Sequence, residues 1–502
     1  MSRFSYAFSK NGLAWLAAMF LLLPLLWLNV RHSHPWGDDF AAYVTQTINM
    51  GEGRAFDYTT YQFIDGFSTL WPSGPIGFSV MLLPVYKVFG FNISAFNFFM
   101  AGLYMLWAIL SFGFFLKRFS VSTAILILFV AFYSNFLLWL KVQIISDVPF
   151  ALLVLLVCLL WQQQVWKKLW GAILIGLLIG FTIHVRSLGI VLLPAAALHL
   201  FYQWFFKKQP IAKTHVANVS VIAVLSFILT LLLGYIFKPQ YSYISNALSV
   251  IDVHSVASTV IHNIRVHAYD YMGLFKSSDF SLSVVSSILG WLMLAFTIAG
   301  ALLKWRKGLE FFDWVTVLYL VLIMFYQVTS DYRYLVPVHP FLIFYLFYFF
   351  KIAAFKISVN TTILKTALFI VIGLVYKDHL VYLATTTTET LPGPYEEICR
   401  ETFSYIKKNV NNEDIIVFNK PRALALYTGK KTIYYNAKAP VEVNVATLHK
   451  YGVRYYLYSY MLSEPDFDGI INANKPHMTE VYKNWQFTLY KDTSALSNFK
   501  TR

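Results

Sequence analysis

LAWLAAMFLLLPLLWLNVRHSHPWGDDF, residues 13–40, decides how the rest of the chain is read. Leu13 to Val30 is apolar and carries no charge, and a membrane crossing takes about 20 such residues. Arg3 and Lys10 precede it as in a secretory leader. The span runs directly into Arg31-His32-Ser33-His34-Pro35, however, with no small-residue cleavage site, so an uncleaved first span is expected. Eight residues past the end of the span stands an adjacent acid pair, Asp38-Asp39. Carboxylates set at a membrane surface by a spanning helix are poorly placed for packing and well placed for chemistry.

Composition extends that reading. Of 502 residues, 58% are hydrophobic and 13% charged, roughly half the charged share of a soluble domain. The fold class is therefore an α-helical polytopic membrane protein. A net charge of +15, from Lys+Arg 40 against Asp+Glu 25, would in a soluble chain raise nucleic acid as a partner. Here the cations sit mostly in short loops between apolar stretches, where they set topology and meet anionic headgroups. Membrane lipid, and no nucleic acid, is the expected partner. Cys158 lies in an apolar stretch and Cys399 in the polar tail, so no disulfide is expected between them.

The apolar stretches give about eleven transmembrane helices, near 13–30, 93–116, 121–140, 148–165, 169–185, 188–206, 214–237, 282–303, 311–328, 334–350 and 363–383. With the N-terminus cytoplasmic, the inside segments hold Arg3 and Lys10, Lys117-Arg118, Lys167-Lys168, Lys207-Lys208, Lys304 with Arg306-Lys307, and Lys351 with Lys356. The outside segments are poorer in cations, as the positive-inside rule requires. Gly74 to Gly90 is apolar but short and contains Pro84 and Lys87. Counting it as a span would invert every later loop, so it is read as an interfacial or re-entrant helix. This gives a transmembrane domain, 1–383, with long exterior loops at 31–92 and 238–281, and an exterior tail, 384–502.

The tail reads as a small α/β domain. Tyr395 to Asn409 has the apolar period of an amphipathic helix, and Asp414 to Phe418 that of a buried strand. Ala446 to Tyr451 closes a helix with Gly452 as cap; Arg454 to Tyr460 is a strand, and Thr479–Tyr482 with Gln486–Lys491 a final strand pair. The tail has no Gly-rich phosphate loop, zinc-ligand spacing or internal repeat.

Four places outside the spans carry chemistry-bearing residues. Asp38 and Asp39 precede Phe40-Ala41-Ala42-Tyr43-Val44 and would serve as helix caps or as a general base made more basic by lost solvation. Asp147 opens Asp147-Val148-Pro149-Phe150, as a cap or as a functional acid at a span end. Arg186, in the turn His184-Val185-Arg186-Ser187-Leu188-Gly189, is a cation on the outer side, where it would reach headgroups or hold a phosphate. Arg333 lies at the mouth of a span broken by Pro337 and Pro340 and has Asp331 beside it as a pairing partner. The 238–281 loop adds His254, His262, Arg265 and His267. Without an acid-backed His pair these read as solvated loop residues, with His262, Arg265 and His267 the stretch that would line a donor or acceptor path.

In this order the segments resemble the C-type glycosyltransferase (GT-C) superfamily. The likeness is to the branch with dolichyl-phosphate-mannose–protein mannosyltransferases and the bacterial lipid A aminoarabinose transferase. It rests on Trp36-Gly37-Asp38-Asp39, Trp71-Pro72-Ser73-Gly74-Pro75-Ile76-Gly77 with Leu83 to Gly90, Ser146 to Phe150, Gly180 to Arg186 with Gly189, and Arg333 to Pro340, about two thirds of the chain. Ile416 to Arg422 and Tyr427-Thr428-Gly429 resemble the exterior domain of bacterial members. The resemblance implies a bacterial cytoplasmic-membrane enzyme that takes a sugar from a polyprenyl phosphate and passes it, with inversion, to a lipid, glycan or protein on the exterior face. One of Asp38 and Asp39 would be the base and Asp147 a second essential acid, with Arg186 and Arg333 at the donor phosphate. No cofactor is implied beyond the lipid-linked donor, and a divalent metal is left open. Where the lipid A branch has a cation after its acid motif and Glu-Lys before its prolines, this chain has Ala41-Ala42 and Leu70-Trp71. Aminoarabinose and lipid A are therefore not implied.

A transporter or flippase of a lipid-linked or small anionic substrate is the competing class. Such proteins carry matched halves with charges near mid-bilayer; here the halves do not match, and the ionisable residues gather at one surface.

Overall fold

The computed structural model describes residues 12–64, 67–68, 74–237, 256–276, 283–325, 332–357, 360–462 and 464–493. Its contacts divide the chain into two compact units. One is 1–30, 96–238 and 242–388; the other is 31–95, 239–241 and 389–502. The boundary expected at 383/384 is thus only part of the division: the loop 31–92 packs with the tail rather than with the helical unit.

In the helical unit every expected apolar stretch contains helix. Among the described residues six helices are long and apolar enough to cross a membrane: Ile93–Leu116, Ser187–Phe205, Lys213–Phe237, Ser283–Arg306, Val336–Lys356 and Thr361–Thr385. The rest are shorter. Between apolar helices close packing replaces the hydrophobic drive, so small residues mark the contacts. A Cβ at Gly176 or Gly180 would meet the Lys213–Phe237 helix at 3.1 or 3.0 Å, and Ser226 Oγ donates to the Gly176 carbonyl at 2.8 Å.

The stretch 121–140 breaks in two, Val121–Phe132 and Asn135–Leu140. A break releases backbone carbonyls that an apolar surrounding would leave unbonded. Three side chains take them up: Tyr376 Oη donates to Val130 O (3.0 Å), His339 Nε2 bonds Ala131 O (2.9 Å) and Tyr104 Oη donates to Phe132 O (2.7 Å). His339 Nδ1 then receives Tyr332 Oη at 2.6 Å. That chain of bonds fixes the turn Tyr332–Tyr334 on which Arg333 stands.

The second long loop is not a loop throughout. Val256–Gly273 is a helix bound to its neighbours by Asn263 Nδ2 to Met324 O (2.8 Å) and Tyr271 Oη to Thr297 Oγ1 (2.6 Å). His254 lies outside the described residues, as do Trp71-Pro72-Ser73 and Asp331.

The other unit is built on a sheet of strands β1 (Tyr61–Gln62), β2 (Ile415–Val417), β3 (Lys431–Ile433), β4 (Val453–Ser459), β5 (Met478–Lys483) and β6 (Phe487–Asp492), in the order β1-β3-β2-β4-β6-β5. The first four are parallel and β5 and β6 antiparallel. Alternation along the strands sends Ile416, Tyr455, Leu457 and Leu489 to one face, where the helix Glu397–Asn409 buries Cys399, Phe403 and Ile406. Val417, Ile433 and Tyr456 go to the other face, onto Leu448 and Phe467, and Val453 joins them because the pairing of β2 with β4 shifts register just after it. Gly452 takes φ +70° after the helix Val441–Lys450, the left-handed cap its position implies. The first loop contributes β1 and two helices, Asp38–Glu52 and Ile76–Phe89. These are joined by Gln46 Nε2 to Gly74 O (2.9 Å) and Ser79 Oγ to Gln46 Oε1 (2.9 Å).

Candidate active site

Asp147 is the first residue of the helix Asp147–Gln162 and is fully buried. Ser146 occupies the cap position without a side-chain cap bond. The Asp147 carboxylate instead meets both candidate arginines. Arg186 Nη1 donates to Oδ1, and Arg333 donates to Oδ2 through Nε (3.2 Å) and Nη2 (3.1 Å). Arg186 reaches it because the chain turns sharply after Leu169–Val185: Arg186 is extended (φ −151°, ψ 132°), and its carbonyl accepts from Gly189 N–H at 2.9 Å. A Cβ at Gly189 would meet Thr182 at 3.0 Å. Only a glycine closes that turn without displacing the helix above it.

One carboxylate lies between two guanidiniums. Asp147 has no exposed surface, whereas the arginine side chains keep 17% and 24% of theirs. A buried acid held through both oxygens is an orienting anchor for the two guanidiniums. The partly open guanidiniums are suited to an incoming phosphate, whose oxygens match their planar fork. The Tyr334 ring lies 5.6 Å from the Arg186 guanidinium and 6.3 Å from the His267 ring.

Of the three loop residues, only His267 shares this neighbourhood. It is buried, with Asp270 at 3.5 Å. His262 and Arg265 are exposed on the other face of the same helix. Helical phase separates what proximity in sequence grouped.

Asp38 and Asp39 form a second cluster, within the sheet unit. Both lie in the first turn of Asp38–Glu52, whose cap is Gly37, so their charge favours the helix dipole. Asp38 is buried. It accepts from Arg422 Nε at 2.7 Å and from the Ala423 backbone N–H at 3.1 Å. Asp38 is therefore a cap, as its position suggests, but of the helix Pro421–Thr428 and not of its own. Arg422 Nη2 also donates to Asp39 Oδ1 at 3.0 Å, but the Asp39 side chain is 49% exposed. Burial works against the charge of Arg422; the two carboxylates outweigh it, and its pKa stands above the ordinary arginine value. Beside them His34 is buried, its ring 4.1 Å from Phe40 and Nδ1 2.8 Å from Pro35 O. Burial pulls its pKa down to about 4.

Two cations of structural weight carry no strong mark in the sequence. Arg422 succeeds Pro421, which suits the first turn of a helix, and that turn is the one signal that singles it out. Lys141 is buried and donates to Leu25 O at 2.5 Å and to Leu28 O. It closes the end of the first apolar helix, where carbonyls lack partners. Among the described residues no three His, Cys, Asp or Glu side chains stand together as a metal site.

The sequence matches no family model and no curated protein. The fold does have solved counterparts. The structure of ArnT from Cupriavidus metallidurans bound to undecaprenyl phosphate superposes with a TM-score of 0.55 at 12% identity, over 96% of this chain and 98% of that one. The archaeal oligosaccharyltransferase AglB from Archaeoglobus fulgidus, in complex with an inhibitory peptide and a dolichol-phosphate, gives 0.58 at 11% identity, over 92% of this chain and 71% of that one. Apo ArnT gives 0.56 at 12% identity, over 97% and 99%. The protein is thus a helical membrane protein that shares the fold of ArnT and AglB.

Proposed function

We propose that the protein is an inverting glycosyltransferase that takes a sugar from a polyprenyl phosphate and passes it to an acceptor on the exterior face of a cytoplasmic membrane. The observation that carries this reading is the bracketing of Asp147 by Arg186 and Arg333. It is supported by a fold shared with two proteins solved with a lipid phosphate bound. In this reading about eleven helices cross the bilayer, with the N-terminus cytoplasmic and the sheet unit outside.

The chemistry divides among few groups. The acceptor oxygen or nitrogen attacks the anomeric carbon from the face opposite the phosphate. The bond from that carbon to the phosphate oxygen breaks, and the lipid phosphate leaves with the electron pair. Arg186 and Arg333 stabilise the charge that collects there. Asp147 holds both guanidiniums in place and is a positioning residue rather than the second catalytic acid. Asp39, half open, takes the acceptor proton; Asp38, held by Arg422 and Ala423, anchors the loop that presents it. His267 faces the arginine cluster, while exposed His262 and Arg265 take no part. No covalent enzyme intermediate is needed.

Mass spectrometry of envelope glycans and lipids from cells with and without the protein tests the proposal. A missing sugar unit identifies the acceptor, and an accumulated lipid-linked sugar the donor. Identical profiles in both would overturn it.

A further inference from the structure

At the other end of the helical unit lies a cavity of about 470 Å³ that the transfer reaction does not use. Four cations line it, Lys117, Arg118, Lys351 and Lys365, and no carboxylate among the described residues does. Arg118 is committed elsewhere, to Glu310 at 2.8 Å. Lys351 and Lys365 make only neutral bonds among those described, to Arg118 O (3.1 Å) and Ser122 Oγ (2.9 Å). Lys117, Lys351 and Lys365 have no acidic partner within salt-bridge distance among the described residues, so the mouth of the cavity is strongly positive.

The lining changes character in the same direction on three helices. Phe347 is one turn further into the unit than Lys351, Leu368 one turn further in than Lys365, and Leu126 one turn further in than Thr123. A polar, cationic mouth above an apolar floor matches an amphiphile rather than a soluble anion. Along the helix His339–Ile357 Lys351 is roughly 18 Å from the end nearest Arg333 in the chain, at 1.5 Å per residue. The cavity is therefore separate from the Asp147 cluster.

We propose that this cavity binds an anionic phospholipid, its phosphate among Lys117, Lys351 and Lys365 and an acyl chain over Phe347 and Leu368. Basic pockets between membrane helices bind such headgroups. The site holds a resident lipid of the leaflet at this end of the helices and is independent of the transferase reading.

Native mass spectrometry of the full-length protein in detergent, titrated with phosphatidylglycerol or phosphatidylcholine, tests it. Wild type should retain phosphatidylglycerol preferentially. A basic residue near an anionic headgroup is worth about fivefold in affinity, so Lys351→Gln/Lys365→Gln should lose about 25-fold. Lys167→Gln/Lys168→Gln, elsewhere on the protein, should lose nothing. An unchanged melting temperature in phosphatidylcholine shows that the double variant is folded; if it does not fold, Lys117→Gln alone should show the single fivefold step. Equal retention of the two lipids, or wild-type affinity in the folded lysine variant, overturns the proposal. So does displacement of the lipid by millimolar inorganic phosphate, which would mark a free-anion site.

Discussion

Asp38 and Asp39 are adjacent in sequence, yet their substitution should fail in opposite ways. Asp38→Asn removes a charge that is 7% exposed, from a pair with Arg422, itself 10% exposed. Breaking a buried ion pair from one side costs about 3–5 kcal/mol. The lower figure is appropriate because Asp39 remains as a partner for Arg422. About 3 kcal/mol is two decades in a local opening equilibrium. Backbone amides of Pro421–Thr428, the helix whose Ala423 N–H Asp38 accepts, should therefore exchange hydrogen roughly 100-fold faster. Asp39→Asn removes a half-exposed carboxylate and should cost less than about 1 kcal/mol, leaving that exchange nearly unchanged. Turnover should instead fall about 10²- to 10⁴-fold, the range of a lost general base. The assay is exchange mass spectrometry on both variants, paired with sugar transfer once the donor is identified. Equal protection in wild type and Asp38→Asn would refute the anchoring role, and full turnover by Asp39→Asn the base assignment.

The same geometry sets further outcomes. The buried His34 titrates near 4 when folded against 6.5 when exposed. Between those values the unfolded chain binds the proton and the folded one does not. Stability of the sheet unit should fall as pH drops from about 6.5 to 4, by up to ~3 kcal/mol, and His34→Phe should flatten that slope in melts recorded against pH. Gly300→Ala would drive a Cβ into the Tyr345 carbonyl; the forced separation of the two helices should cost about 1–3 kcal/mol, read as a lower melting temperature in detergent. Arg333→Lys keeps the charge but loses the fork that donates through Nε and Nη2. It should therefore weaken lipid-phosphate binding nearly as much as Arg333→Ala, as measured by titration.

Most helices are legible in the sequence because a membrane crossing imposes a length and a composition that few other structures share. Asp147, Arg186 and Arg333 are legible for the same reason: a charge at the end of an apolar stretch is expensive, so it stands out. Their mutual contact is not legible, since it joins residues far apart in the chain through the turns at Gly189 and Tyr332. Arg422 is hidden among the ordinary charges of a polar tail. The union of the first loop with the tail is hidden too, because β1 is two residues long and has no period of its own. Val256–Gly273 reads as loop because it is too polar for a span, and its histidines group together until helical phase separates them. The break near Tyr133 has no proline to announce it; it depends on Tyr104, His339 and Tyr376 meeting the freed carbonyls.

The central claim is that Arg186 and Arg333 seat a lipid-borne phosphate, and equilibrium binding of polyprenyl phosphate to the purified protein tests it most directly. A charge-assisted hydrogen bond contributes about 1.5–3 kcal/mol. Arg186→Ala/Arg333→Ala should therefore bind at least ~100-fold more weakly than wild type, while Lys351→Gln/Lys365→Gln binds as wild type does. Undiminished binding by the double arginine variant would contradict that claim.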